Sequence, residues 1–230
     1  MPVKYRGSTL GNSNLKTKMI YNDGIDVLVA DASHEKYVDT ILKTIADAAK
    51  VRGSGIASRT HEYVAQKMRE RKAIIALSGE EFAGFCYIES WENKHYVANS
   101  GLIVVPKFRH HHLATRIKET AFTLSRLRWP HAKLFGLTSQ GAVMKINTKL
   151  GYVPVPLCDL TQDDEYWKGC GTPEHPCCIN CDILARTGRK YCVCTGMLYD
   201  PANHEGEPLP VELPPDVVKM AKEAAAKGLR

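Results

Sequence analysis

Between residues 25 and 157, short apolar runs alternate with stretches whose apolar residues recur every three or four positions. Ile25 to Ala30 is an apolar run of strand length. Asp31, Ser33 and Glu35 then supply helix-start chemistry, and Tyr37, Val38, Ile41, Leu42, Ile45, Ala48 and Ala49 share one face of a helix. Arg52, Gly53, Ser54 and Gly55 break that pattern, and a second helix is predicted from Thr60 to Arg71, with Thr60 placed to cap it. Ala73 to Leu77 and Phe82 to Ile88 read as two strands of a hairpin joined at Ser78 to Glu81. Asn93 and Lys94 form a turn into the next strand, whose apolar run Gly101 to Val105 ends at Pro106. A basic loop, Lys107 to His112, leads into a helix marked by Leu113, Ile117, Ala121 and Leu124 and stopped by Pro130. Ala132 to Leu137 is a strand, and Ala142 to Leu150 is a short helix closed by Gly151. Tyr152 to Leu157 carries Pro154 and Pro156, which suits an edge strand. The order β-α-α-β-β-β-α-β-α-β predicts an α/β fold, a mixed central sheet flanked by helices.

After residue 158 the texture changes. Six of the eight cysteines fall between Cys170 and Cys194. The tail from Asn203 is rich in Pro and Glu and ends in a helix, Asp216 to Lys227, with Val217, Met220, Ala221 and Ala224 on one face. This predicts a core over 1–157, a small cysteine-rich lobe over 158–200 and a tail with a terminal helix over 201–230. The N-terminus lacks the apolar middle of a secretion signal, so a cytoplasmic setting with reduced thiols is expected. Clustered cysteines then point to metal rather than disulfides. A CxxC at Cys178 and Cys181 and a CxC at Cys192 and Cys194 can supply four thiolates to one structural zinc.

Composition changes the picture only by exclusion. Hydrophobic residues at 44% and charged residues at 24% are ordinary for a globular protein. No apolar run approaches the ~20 residues that a membrane span needs. The net charge of +6 is spread along the chain without a basic stripe interleaved with aromatics, so nucleic acid is not the expected partner. An anionic small molecule accounts for the charge.

The basic loop suits that anion. The first turn of the following helix points free N–H groups back toward the strand end, a ready phosphate site, and Lys107, Arg109 and His110 to His112 add positive charge. The three adjacent histidines diverge in direction at a helix start, so they do not form a metal site.

With loop and strand order in place, the chain resembles the GNAT superfamily of acyl-CoA N-acyltransferases over roughly 25–157. The segment VVPKFRHHHLA carries the family's Arg/Gln-x-x-Gly-x-Gly/Ala loop, which falls on Arg109, His112 and Ala114. The segment LFGLTSQGAVMKINTKLGYVPV is similar to the family's later strand, helix and Leu-Gly-Phe/Tyr. A narrower resemblance is to glutamate N-acyltransferases of arginine synthesis, carried by Gly55-Ile56-Ala57-Ser58-Arg59-Thr60 and Leu134-Phe135-Gly136-Leu137-Thr138. The cysteine tail looks like a bacterial branch associated with that pathway, in which the ligands fall at Cys170, Cys178, Cys192 and Cys194. Spacing alone prefers Cys178 with Cys181. Two departures stand out: His112 occupies the middle glycine, and Asn147 occupies the position of the family's tyrosine acid.

The resemblance implies that an amine attacks the thioester of acetyl-CoA or another acyl-CoA directly. Ile103, Val104, Val105, Arg109, His110, His111, His112, Leu113, Ala114, Thr115 and Asn147 would bind the cofactor, with a backbone N–H near Val104 stabilising the oxyanion. Glu89, Glu92 and His95 are the base candidates, and the usual acidic position on the central strand holds Ala98 or Asn99. Arg59 and Arg52 would clamp an acceptor carboxylate. The expected partners are an acyl-CoA and a small amine or amino-acid acceptor, with no membrane and with a homodimer left open. The alternative is a non-catalytic module that senses CoA, or a zinc-containing module that binds nucleic acid or protein.

Overall fold

The computed structural model describes residues 23–50, 58–109, 112–168, 187–188, 191–192 and 194–228. One seven-stranded sheet organises them: β1 (Ile25–Val29), β2 (Ala73–Ser78), β3 (Glu81–Trp91), β4 (Tyr96–Val104), β5 (Lys133–Thr138), β6 (Val153–Val155) and β7 (Thr195–Tyr199). Their spatial order is β1-β2-β3-β4-β5-β7-β6. Only β4 and β5 run parallel; every other neighbouring pair is antiparallel. The mixed sheet is as expected, and β6, with its proline, lies at the edge.

The helices start where local chemistry directs. Asp31 accepts from Ser33 N at 3.0 Å and caps a 3-10 helix, Ala32–Tyr37, which runs into α1 (Val38–Ala49). Thr60 accepts from Tyr63 N at 3.2 Å and caps α2 (His61–Arg69). After β4 come α3 (Leu113–Arg128) and α4 (Gly141–Lys149); Gly151, at φ +90°, provides the left-handed exit from α4. A short α5 (Asp164–Lys168) and the terminal α6 (Pro215–Gly228) follow among the described residues.

The core divides by sheet face. On one face α3 and α6 pack Leu113, Ile117, Ala121, Val217 and Ala221 against Cys86, Ile88, Val97, Leu134 and Met197. On the other, α1 and α2 pack Ile41, Ile45, Val64 and Met68 against Ile75, Phe85, Tyr87 and Ile103. A third cluster, Ala98, Phe135, Leu160 and Trp167, continues this second face across β5.

Two expectations change. The sheet does not close at residue 157. β7, from the end of the cysteine-rich stretch, inserts between β5 and β6, so 195–199 belong to the sheet. The terminal helix is likewise built into the core: Val217 and Ala221 are buried in the α3 cluster, and fully burying a side chain of valine size stabilises by about 1.5–3 kcal/mol. Among the described residues no helix is long and apolar enough to cross a membrane.

Candidate functional site

The parallel pair β4–β5 is the origin of the site. It holds for only three residue pairs, ending at Ala98↔Phe135. Beyond that point β5 continues beside β7, and the strand edge of β4 from Asn99 to Val104 opens. Lys133 N donates to His95 O at 2.9 Å, so by alternation Val97 and Asn99 also turn their carbonyls toward β5. The register with β3 then slips: Tyr87 faces Ser100, but Phe85 faces Ile103, so Gly101 and Leu102 form a bulge opposite Cys86. The extra residue reverses the parity. Val105 N donates to Ala83 O on the β3 side at 2.9 Å, which leaves Val104 facing the opening. The Val104 carbonyl accepts from Arg109 Nε at 3.3 Å, on that open side. The predicted oxyanion donor, Val104 N–H, thus points into the gap because of the bulge.

The bulge depends on Gly101, at φ +65°. The Tyr87 ring lies directly over its Cα; a Cβ there would meet Tyr87 Cε1 at 2.5 Å.

At the far end of the opening, a 3-10 turn, Pro106–Phe108, delivers Arg109 and then the start of α3. No acidic residue occupies the first turn of α3, whose free N–H groups with Leu113, Ala114 and Thr115 form an anion cradle. Lys107 is drawn aside into an ion pair with Glu81. His112 is the N-cap residue at φ +55°, in the left-handed region, and its side chain makes no capping bond. The histidine sits where the backbone asks for glycine. His110 and His111 lie outside the described residues. Replacing His112 by glycine is expected to raise stability by about 1 kcal/mol or less, the relief of a left-handed non-glycine residue minus the added chain entropy. Thermal unfolding checks this; an unchanged midpoint would mean that the left-handed backbone at His112 carries no strain.

On the α2 face, level with the start of the opening, five polar side chains converge. Glu89 lies opposite Ala98 and Tyr87 opposite Ser100. Tyr63 OH donates to Glu89 Oε2 at 3.0 Å, Lys67 Nζ makes a very short contact with the same oxygen, and Ser90 N donates to Oε1 at 3.1 Å. Arg59 Nε donates to Tyr87 OH at 2.7 Å, and its guanidinium lies over both tyrosine rings, at 5.6 and 5.5 Å. Burial raises the pKa of Tyr63 and Tyr87, so both phenols stay neutral. Among the described residues this cluster holds two cations, Arg59 and Lys67, and one carboxylate, Glu89.

Three expectations are revised here. Glu89, held by three donors, is an anchor of this cluster rather than a free base. His95 is exposed at the opposite end of β4; at ~3.3 Å per residue it lies roughly 25–30 Å from Val104. It lines a separate pocket of about 670 Å³ with Lys72, Lys94, Arg128, His131 and Lys133. Those cations have local duties: Arg128 Nη1 donates to Glu70 O at the end of α2, Lys72 pairs with Glu70 and Lys133 with Asp200. Glu92 turns away from the site to accept from Thr161 Oγ1 at 2.7 Å.

Asn147 is buried on α4. Its Nδ2 lies 3.6 Å from Met197 Sδ, and its buried Oδ1 has no hydrogen-bond partner among the described residues. An orphaned acceptor on the α3 face suits a cofactor amide. Arg52 lies outside the described residues, as do Cys170, Cys178 and Cys181. Of the expected zinc ligands, Cys192 and Cys194 are half-buried, with Cys194 N donating to Cys192 Sγ at 3.3 Å. Among the described residues no three metal-ligating side chains come together.

Sequence reading missed Tyr63, Lys67 and Tyr87. The available signal was Lys67 itself, a lysine beside Val64 and Met68 on the buried face of α2.

A mixed sheet split between β4 and β5, with an anion cradle at the mouth of α3, defines the fold as that of the GNAT acyltransferases. A Mycobacterium tuberculosis protein, Rv2747, solved in complex with CoA, is similar at a TM-score of 0.54 and 12% identity, over 76% of this chain and 98% of that one. N-acetylglutamate synthase from Neisseria gonorrhoeae, solved with coenzyme A and N-acetyl-glutamate, is similar at a TM-score of 0.54 and 11% identity, over 76% of this chain and 35% of that one. This chain thus spans about a third of the gonococcal enzyme's length. No family model and no curated protein matches the sequence.

Proposed function

We propose that the chain is a cytoplasmic acyl-CoA-dependent N-acyltransferase that moves an acetyl or succinyl group to the primary amine of a small acceptor bearing a carboxylate, glutamate being the first to test. The observation that carries this is the split between β4 and β5, which joins an anion cradle at one end to the Arg59 and Lys67 cluster on the α2 face. In this reading the α3 mouth and Arg109 hold the pyrophosphate, and Asn147 Oδ1 accepts from a pantetheine amide. The acyl thioester lies along the open edge of β4. Val104 N–H receives the charge that develops on the carbonyl oxygen; one such donor is worth roughly 10²–10³ in rate. The Arg59 and Lys67 side chains draw the acceptor's carboxylate to the α2 face. A water at the opening takes the proton from the acceptor ammonium.

Thiol release from acetyl-CoA and succinyl-CoA against a panel of amines tests the activity. Turnover with acidic amino acids and none with simple amines is the expected pattern. Arg59→Ala should raise the acceptor KM about 10- to 100-fold, the worth of a charged hydrogen bond, and leave the acyl-CoA KM within about twofold. If both stay put, Arg59 does not bind the acceptor.

The engagement of Glu89 favours a second reading, a CoA sensor that binds without turnover. Tight CoA binding with no thiol release from any amine would support it. A structural zinc at the cysteine stretch is part of the proposal: the N–H donated to Cys192 Sγ is the kind of bond that steadies a metal thiolate. Metal analysis should find about one zinc per chain.

A further inference from the structure

One lysine has no place in a core, and the split in the sheet gives it one. Lys118 is on α3 and only 2% exposed. Its Nζ lies 3.4 Å from Asn99 O and 5.2 Å from the centre of the Tyr152 ring. Asn99 is the first residue of β4 beyond the last pair with β5, and its carbonyl faces the opening. In a continuous parallel sheet that carbonyl would accept from β5. Here the lysine takes that role, which places its ammonium at the apex of the split, on the α3 face. An ammonium has three donors, and one long bond leaves it largely unsatisfied. A buried charge is normally paired, because the desolvation cost is several kcal/mol. No carboxylate is hydrogen-bonded or ion-paired to Lys118 among the described residues. The titratable groups that face it are Cys86 from β3 and Tyr152 from the loop before β6.

The reaction proposed above leaves one role unfilled. When the tetrahedral intermediate collapses, the C–S bond breaks and its electron pair stays on sulfur. That thiolate needs a proton, and the helix that could carry a tyrosine acid carries Asn147 instead. We propose that Lys118 is the acid that protonates the departing CoA thiolate. The ammonium gives one proton to sulfur, the product leaves as free thiol, and water reprotonates the amine. The acceptor amine enters from the α2 face, so attack and departure are served from opposite sides of the sheet. Burial lowers the Lys118 pKa to about 8, close to that of a thiol, which is the match that general acid catalysis favours.

This assignment rests on the acyltransferase reading, and two measurements keep the two apart. First, Lys118→Met should lower kcat about 10²- to 10⁴-fold, the usual worth of a positioned acid, with the acyl-CoA KM nearly unchanged. It should also remove an alkaline limb near pH 8 from the kcat profile. Second, the ultraviolet absorbance of the thiolate reports ionisation of bound CoA without any turnover. Beside the Lys118 ammonium the bound thiol should ionise at least tenfold more readily than in Lys118→Met. An unchanged kcat and pH profile in the variant, or identical thiol titrations in the two CoA complexes, would overturn the role of Lys118 while leaving the enzyme standing. A wild-type protein that binds no CoA would overturn both.

Discussion

Gly101→Ala should cost about 3 kcal/mol of stability, the sum of a left-handed penalty and an overpacking penalty. The first arises because residue 101 sits at φ +65°. The second arises because the new methyl would meet Tyr87 Cε1 at 2.5 Å and Cδ1 at 2.8 Å. The tyrosine has little room to retreat. Its ring meets Tyr63 edge-on at 5.5 Å and lies 6.3 Å from Phe85, and its hydroxyl holds Arg59. The cheapest relief is to iron out the bulge. Doing so restores simple alternation along β4 and swings Val104 back toward β3. A variant that stays folded should therefore lose about 10²-fold or more in kcat, as when an oxyanion donor is removed. Denaturant unfolding and thiol-release kinetics measure the two effects. Wild-type stability with wild-type turnover would mean that the bulge does not set the Val104 orientation.

Lys118→Met should stabilise the protein at neutral pH by up to about 3 kcal/mol, since each unit of pKa shift corresponds to about 1.4 kcal/mol. Burial holds the Lys118 pKa in the folded chain at about 8, against 10.5 for a solvated lysine. Between those values the unfolded chain binds more protons than the folded one, so wild-type stability rises with pH. Below pH 8 both states carry the charge and the folded state bears the whole desolvation cost. Above about 10.5 neither carries it. The advantage of the methionine variant should therefore be largest and flat below pH 8, and should shrink as pH rises to about 10.5. Cys86, raised by burial to about 11, lowers stability as pH rises through part of the same range, but it is present in both proteins, so the difference between them reports Lys118. Urea midpoints of both proteins across pH 6–11 provide the check. A difference that does not vary with pH would show that the amine is neutral or well solvated in the folded state.

The elements with strong periodic signal were legible in the chain. Thr60 and Asp31 cap as their chemistry dictates, and Gly151 takes the left-handed exit it was read for. The cradle at α3 was legible because a proline, a basic loop and a helical stripe stand in immediate succession. β7 was not: Thr195 to Tyr199 is five residues long, includes a glycine and follows the cysteines, whose texture masked it. Nor was the patch on the α2 face, since Arg59, Tyr63, Tyr87 and Glu89 meet only through the register of β3 with β4 and the docking of α2. The position of His95 failed for the same reason in reverse. It is close to the reacting strand in sequence but sits at the strand's other end, and proximity along a chain says nothing about which end of a strand a residue occupies.

β7 also bears on how the molecule is made. Among the described residues β6 bonds only to β7, and β5 has β7 on its outer side. As the polypeptide leaves the ribosome, the strand at 133–138 must wait with one flank bare until about sixty more residues have emerged. Among the described residues the strand at 153–155 has no other strand to pair with until then. The segment between residues 155 and 195 must therefore emerge before the last two strands of the sheet can pair.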